Sequence, residues 1–551
     1  MSLKKFFYRE RSFGGVIATL ALYFTLVLNV PVYHKLYGIF SDGSQHSIPF
    51  IISIPIFFFF VIYLVLHLFA WPKVVKVFFI PLLIISSAMS YATFYYGVIF
   101  DKDMLVNILD TNKGEALSYL SLYSVGWVFL LGVLPSAVLG FTKIKDISIK
   151  ELVINKFMAL FVVVVGIFAI AAIFYKDYAS FGRTHNNLQE LVIPTEFLYS
   201  VTKLTKQKYF SPKVPYKKVG LDAKLNPKAF GGNKSKKPNL VIFMLGETAR
   251  AQNYPFNGYH RNTIPYTQMY KPYFFTQVAS CGTATAVSVP CMFSNMNRTE
   301  FDVKRADNQD DVLDIMQRAG IDVLWKENDG GDKHVAKNVT QIKLDTSKVD
   351  EFCNGSSCHD EALLKGLYSQ IIRMKGDKFI VLHLIGSHGP TYFERYPKSM
   401  DFYKPSCQRA DIENCSSEEI YNVYDNTLRY TDYVMAKAIG LLKSFEFSHN
   451  VALMYMSDHG ESLGEDGIYL HGLPYKFAPT EQKHVPWMFW MSDEFAKVKN
   501  ISGNCLRKNA HNAYSQDNLF STLLGLMDVS TKAYNKKMDI FSECRGEKAE
   551  Q

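Results

Sequence analysis

Hydrophobic positions follow two different patterns along this chain, and the change comes after its first third. Five apolar runs, Gly14–Val32, Ile48–Ala70, Val74–Ile99, Tyr123–Phe141 and Phe157–Tyr175, approach or exceed the roughly 20 residues a helix needs to cross a bilayer. From Asn239 onward the apolar stretches are short and bounded by polar or glycine residues: Asn239–Leu245, Ile321–Trp325, Phe379–Leu384, Val451–Met456 and Val485–Met491. These read as strands, and Asp311–Arg318, Glu361–Met374 and Tyr421–Leu442 between them read as helices. Strand and helix in alternation predict a mainly parallel α/β sheet covered on both faces, with ligands at the carboxyl ends of the strands. The predicted organisation is therefore a five-helix transmembrane domain over 1–176, a bridging helix with a lysine-rich linker over 177–237, and an outer domain over 238–551.

The bulk composition, 48% hydrophobic, averages over these two parts and describes neither. Charge placement says more. Lys4, Lys5, Arg9 and Arg11 precede the first run, Lys73 and Lys76 follow the second, and Lys143, Lys145, Lys150 and Lys156 follow the fourth. The loop after the third run instead carries Asp101, Asp103, Asp110 and Glu115. Basic loops stay inside, so the amino terminus faces the cytoplasm and everything after Tyr175 faces out. The stretch Asn29-Val-Pro-Val-Tyr33 offers no small-residue cleavage site, so the first run reads as an anchor that is kept. The net charge of +9 comes without the aromatic and basic interleaving of a nucleic-acid surface.

Between the two parts, Leu188–Leu204 has the pattern of a short amphipathic helix at the membrane surface. Lys203–Lys237 holds eleven lysines and a single acid, Asp222, and reads as an extended bridge facing anionic head groups or solvent. In the outward loop, Asn107, Thr111 and Glu115 are spaced to share one helix face, which by spacing alone is a solvated face.

All eight cysteines lie in the outer part, in an oxidising compartment by the orientation just derived. Three close sequential pairs make neighbours the economical connectivity: Cys281–Cys291, Cys353–Cys358, Cys407–Cys415, and with them Cys505–Cys544. No C-x-x-C spacing occurs, which excludes a zinc ribbon.

The candidate chemistry sits at strand ends. The first outer strand runs into Gly246-Glu247-Thr248, the Val451 strand into Ser457-Asp458-His459-Gly460-Glu461-Ser462, and the Phe379 strand into Gly386-Ser387-His388-Gly389-Pro390. The stretch Ser280–Ser294 adds a turn at Cys281-Gly282 and hydroxyls at Thr283 and Thr285 where a helix begins. Glu247, Asp458, His459 and the Thr285 oxygen make a four-coordinate set of mixed oxygen and nitrogen donors. A cation there would lower the hydroxyl's pKa and make a feeble nucleophile usable. Taken singly, each of these residues is a cap, a turn or a buried pair; their joint placement is what points to a site.

The motifs Gly246-Glu-Thr-Ala-Arg250, Asn257-Gly-Tyr259, Ser280–Ala286, Ser457–Ser462 and Tyr469-Leu-His-Gly472 closely resemble the lipid A phosphoethanolamine transferases. That family includes the mobile colistin-resistance enzymes and belongs to the alkaline phosphatase/sulfatase superfamily. The resemblance implies a zinc site of Glu247, Thr285, Asp458 and His459, with Thr285 accepting the phosphoethanolamine group. It assigns His388 and His471 to substrate phosphate, proton transfer or a second metal, and Lys333 to a substrate contact. It also moves Asn107, Thr111 and Glu115 from a solvated face to a lipid-substrate cavity, and leaves His260, His334 and His484 without a role. Gly330 departs from relatives that have serine there, and Cys505–Cys544 is a pair some members lack.

The activity so implied is transfer of phosphoethanolamine from phosphatidylethanolamine to a phosphate of lipid A at the outer face of the bacterial inner membrane. Diacylglycerol would be released and polymyxins repelled. Two enzymatic rivals keep the fold: transfer to a core sugar of lipopolysaccharide, and phosphoglycerol transfer by a manganese enzyme of the lipoteichoic acid synthase type. One histidine among oxygens does not choose between zinc and manganese. A rival of another class, a silent membrane sensor on the same scaffold, would have lost a ligand or the Thr285 hydroxyl, and neither is lost.

Overall fold

The computed structural model describes residues 10–41, 47–111, 116–117, 119–210, 212, 214–233 and 235–546. The chain divides into two compact units, Met1–Leu105 with Leu120–Ser211, and Val106–Tyr119 with Pro212–Gln551.

In the first unit, four helices are long and apolar enough to cross a membrane: Ile48–Phe69, Val75–Tyr96, Leu122–Phe141 and Ile149–Arg183. The first predicted span is a bent pair, Phe13–Leu28 and Val30–Ser41, meeting at 50°, so the described residues make five spans when that pair is counted as one. The bend has a local cause. Pro31 supplies no backbone N–H, and the buried Asn29 amide donates to Phe24 O at 2.9 Å and to Ile193 O at 2.6 Å while accepting from Ile193 N at 2.8 Å. The last span is longer than its apolar core predicts, because Ser148, nine residues before Phe157, forms a capping box with Glu151. Phe13, Ile17, Phe24, Ile62, Leu66, Phe79 and Leu83 fill the interior, whereas Phe157, Phe161 and Phe168 point outward, as residues facing lipid do.

The amphipathic helix expected over Leu188–Leu204 is broken. A 3₁₀ turn, Asn186–Leu191, stops short of Pro194, and an α-helix, Thr195–Thr205, starts after it. Proline disfavours helical geometry in the residue before it, and Asn29 has already claimed the backbone of that residue, Ile193. The lysine-rich connector is likewise only partly a free bridge. Lys217 and Asn308 share a backbone bond of 2.8 Å, Lys224–Leu225 pairs with Val529–Ser530, and Val219 and Phe230 are buried. Its few apolar residues are enough to anchor its second half on the outer unit.

The second unit is built on a seven-stranded sheet. Its strands are β1 (Asn239–Gly246), β2 (Tyr273–Phe275), β3 (Asp322–Glu327), β4 (Thr340–Lys343), β5 (Lys378–His383), β6 (Asn450–Ser457) and β7 (Trp487–Met491). Their order is β2-β7-β6-β1-β5-β3-β4, with β6, β1, β5, β3 and β4 parallel and β7 and β2 antiparallel to their neighbours. Strands β1, β5 and β6 are buried along their whole length, which explains their continuous apolar runs. The helix Ser417–Ser444 covers the sheet, whereas the helix predicted over Glu361–Met374 is split at Gly366, whose φ of +72° ends one turn and opens another. All four sequential cysteine pairs are bonded, and the described residues contain no free cysteine.

Candidate active site

The register of the parallel strands assembles the site. Gly246 on β1 lies opposite Ser457 on β6, so the next residues, Glu247 and Asp458, leave the sheet side by side. Leu245 lies opposite His383 on β5, and His383 opposite Glu327 on β3. Four strand ends therefore deliver acids and histidines to one edge.

Thr285 is brought to that edge by the helix Thr285–Phe293. Ala284, not Thr285, occupies the cap position, and the Thr285 hydroxyl makes no capping bond. It donates instead to Glu247 Oε2 at 3.1 Å and lies 3.4 Å from His459 Nε2. The same nitrogen is 3.4 Å from Glu247 Oε1 and 3.3 Å from Asp458 Oδ2. Ligands about 2 Å from a tetrahedral metal lie about 3.3 Å from one another, so the Thr285, Glu247 and Asp458 oxygens each stand from His459 Nε2 at the spacing of one coordination shell.

Their chemistry fits a cation as well as their spacing does. Glu247, Asp458 and His459 have no solvent exposure, yet among the described residues nothing donates a hydrogen bond to Glu247 Oε1 or Asp458 Oδ2. Buried carboxylate oxygens without donors are costly unless positive charge meets them. Burial, reinforced by Asp458 and Asp329, pushes the Glu247 carboxyl well above the usual range. Burial also pushes His459 down to about 4, so its imidazole is neutral. His459 Nδ1 donates to Gly460 O at 2.9 Å, which leaves the Nε2 lone pair directed into the cluster. Gly460 has no room for a side chain: a Cβ there would lie 2.0 Å from Glu481 O.

Two further histidines flank this set. The His471 ring lies 4.4 Å from the His459 ring, tilted against it, and 5.4 Å from the His388 ring, edge-on, by ring centroids. Its Nδ1 bonds Glu461 Oε2 at 2.8 Å, and Glu461 Oε1 accepts from the Tyr392 hydroxyl at 2.5 Å. Glu247, His459 and His471 each offer a donor atom within 4.8 Å of the others. The Thr285 loop is held from both sides. Thr283 Oγ1 donates to Leu473 O, Gly472 N to Thr283 O at 2.7 Å, and the Cys281–Cys291 bond spans the turn. Gln516 ties this loop to the end of β6: its Nε2 donates to Ser457 O and Asp458 O at 2.8 and 2.6 Å, and its Oε1 accepts from Cys281 N at 2.6 Å.

The sequence did not single out Glu327, Asp329, His383, Glu461 or Gln516. Glu327 accepts from Trp325 Nε1 and His383 Nδ1, each at 2.8 Å, and from Asp329 N at 2.5 Å. Burial pushes Asp329 up to about 7, against the pull of positive charge at His383, His388 and Lys333. Lys333 thus belongs to the surroundings of Asp329, held half-buried in a left-handed backbone with φ +47°. Asn107 and Thr111 sit one turn apart, with Thr111 Oγ1 donating to Asn107 O at 2.8 Å, and Glu115 lies outside the described residues.

The conserved-domain description "Sulfatase" matches residues 239–529, and the description "Phosphoethanolamine transferase EptA/EptB" matches residues 58–209. The chain is 40% identical over 533 residues to a phosphoethanolamine transferase EptA of Escherichia coli strain K12, covering 95% of this chain and 96% of that one. It is 34% identical to the phosphatidylethanolamine transferase Mcr-1 of Escherichia coli, over 94% and 95% of the two chains. The full-length lipooligosaccharide phosphoethanolamine transferase A of Neisseria meningitidis superposes with a TM-score of 0.91 at 36% identity, over 96% of this chain and 98% of that one.

Proposed function

The chain belongs to the EptA/EptB phosphoethanolamine transferases, and on that premise we propose that it moves phosphoethanolamine from phosphatidylethanolamine to a phosphate of lipid A through Thr285. The observation that carries this reading is the Thr285 hydroxyl, buried and aimed at Glu247 and His459 rather than capping its own helix. Glu247, Asp458, His459 and Thr285 hold a divalent metal, with zinc favoured over manganese by the family resemblance. When bound, that ion lowers the pKa of the hydroxyl and offsets the charge that develops on phosphorus.

In the first half-reaction Thr285 Oγ1 attacks the phosphodiester. The Thr285 O–P bond forms and the bond to the diacylglycerol oxygen breaks. The hydroxyl proton passes to Glu247 Oε2, which accepts its hydrogen bond and returns the proton in the second half-reaction. Diacylglycerol leaves as an alkoxide equivalent that needs a proton; His471, its Nδ1 fixed on Glu461, and His388 beside it are placed to supply one. In the second half-reaction a lipid A phosphate oxygen attacks the phospho-threonine. The P–O bond to Thr285 breaks, the hydroxyl regains its proton, and the phosphoethanolamine leaves on the acceptor as a diphosphate. Lys333, near Asp329, and the outward residues Asn107, Thr111 and Glu115 contact the lipid substrates. The basic loops support a site on the outward side, which in this reading is the outer face of the bacterial inner membrane, where the ammonium group masks the acceptor's charge and weakens polymyxin binding.

The lipid A mass of cells expressing the protein tests this reading. One phosphoethanolamine added to a lipid A phosphate, located by fragmentation, is the expected result. Lipid A of unchanged mass, with phosphoethanolamine on a core sugar, contradicts it.

A further inference from the structure

Glu247 belongs to a second group of donors that the transfer reaction leaves unassigned. Glu247, Asp329 and His383 each present a ligand atom within 4.8 Å of the others, and all three are buried. Asp329 follows the end of β3, His383 ends β5, and Glu247 follows β1, so three neighbouring strands build the group.

The His383 ring is fixed. Its Nδ1 bonds Glu327 Oε2 at 2.8 Å, and Glu327 is itself held by Trp325 Nε1 and Asp329 N. The other ring nitrogen, Nε2, has no hydrogen-bond partner among the described residues although the side chain has no solvent exposure, and it faces Asp329 Oδ2 at 3.5 Å. A buried imidazole nitrogen left without a hydrogen bond is costly unless charge or a ligand meets it. A carboxylate on one ring nitrogen and two more carboxylates around the other is the arrangement that orients a metal-ligating histidine. With no cation among them, Glu327 and Asp329 push the ring up to about 9 against its burial, so a bound cation would take the place of the Nε2 proton. The 3.5 Å separation is close to the roughly 3.3 Å that two ligands keep around one tetrahedral ion.

We propose that Asp329, His383 and Glu247 form a second divalent-cation site, with Glu327 fixing the His383 ring. The proposal rests on the reading of Glu247 as a metal ligand, because that residue is common to both sets. Two carboxylates and one imidazole suit zinc or manganese rather than a soft monovalent ion. A cation held there supplies a second positive centre beside Thr285, as in enzymes that stabilise both the entering and the leaving oxygen of a phosphoryl transfer.

The test is zinc stoichiometry of the full-length chain in detergent, zinc-loaded, desalted and counted by elemental mass spectrometry. Asp329→Asn and His383→Gln should each hold about one zinc fewer than wild type, and Glu327→Gln should hold that zinc about 10–100-fold more weakly. Asp458→Asn should lose a different zinc, so that Asp458→Asn with His383→Gln loses two. The isosteric Asp329→Asn carries the test if His383→Gln does not fold. Unchanged zinc in both Asp329→Asn and His383→Gln overturns the site and makes His383 an imidazolium paired with Glu327 and Asp329. Loss of every zinc in both variants also overturns it as a separate site. Zinc retained in Asp458→Asn but lost in His383→Gln would instead refute the Thr285 site and leave this one standing.

Discussion

The two donor sets that share Glu247 are equally buried and differ in one respect. The set of Thr285, Asp458 and His459 contains a hydroxyl, the proposed nucleophile; the set of Asp329 and His383 contains none. Around the first, three supports act on the position of the hydroxyl: Gln516, the Cys281–Cys291 bond and the Thr283–Leu473 contact all hold the loop that carries it. Around the second, the support acts on the orientation of a ring, through Glu327 and Trp325. The strand ends supply charge to both places, and the inserted helix Thr285–Phe293 brings a hydroxyl to one of them alone.

Substitutions can break that contrast. Thr285→Ala should lower transfer by at least about 10³-fold, as removal of a nucleophile does, while the Asp329 and His383 donors keep their cation. Transfer assays and zinc counts on the same preparation check both halves. Gly386→Ala should damage both sets together. Gly386 has φ +49°, and a Cβ there would stand 2.6 Å from Glu247 O, so the shared ligand must move. The strain expected is about 1–3 kcal/mol, read as a lower thermal midpoint, with a loss of transfer of about 100-fold and reduced zinc at both sites.

Gln516→Ala should act on the Thr285 side alone. It strips partners from Ser457 O, Asp458 O and Cys281 N, each a buried group whose loss costs about 1–3 kcal/mol. A fall in kcat of about 10-fold, with zinc at Asp329 and His383 unchanged, is the expected result; steady-state kinetics and metal counts decide it. The smallest effect on chemistry is expected from Cys407→Ser with Cys415→Ser. That bond spans eight residues in a loop that bears no ligand, so stability should fall by about 2–4 kcal/mol while transfer at 25 °C is unaltered.

The first donor set was legible in the sequence because its members carry local signatures. Asp458 and His459 are adjacent at a strand end, Glu247 follows another strand, and Thr285 stands where a turn becomes a helix. The second set was not. His383 lies inside an apolar run and reads as part of a strand, and Glu327-Asn328-Asp329 reads as a solvated turn. They meet because β5 lies between β1 and β3, a strand order that no local pattern encodes. Gln516 was invisible for the same reason, its bonds reaching residues more than fifty positions away. In the first unit the spans were legible from length and hydropathy, but the bend at Asn29 and the break at Pro194 depend on each other through Ile193 and needed the packed structure to be seen.

The central claim is that Thr285 carries the phosphoethanolamine between donor and acceptor. Its most direct test gives the purified full-length chain phosphatidylethanolamine without lipid A, then measures diacylglycerol and the mass of the Thr285 peptide. The account predicts up to about one equivalent of diacylglycerol when water is excluded, and a peptide heavier by one phosphoethanolamine group. Thr285→Ala should give neither. Diacylglycerol that forms only when lipid A is present, with the Thr285 peptide unmodified throughout, would contradict it.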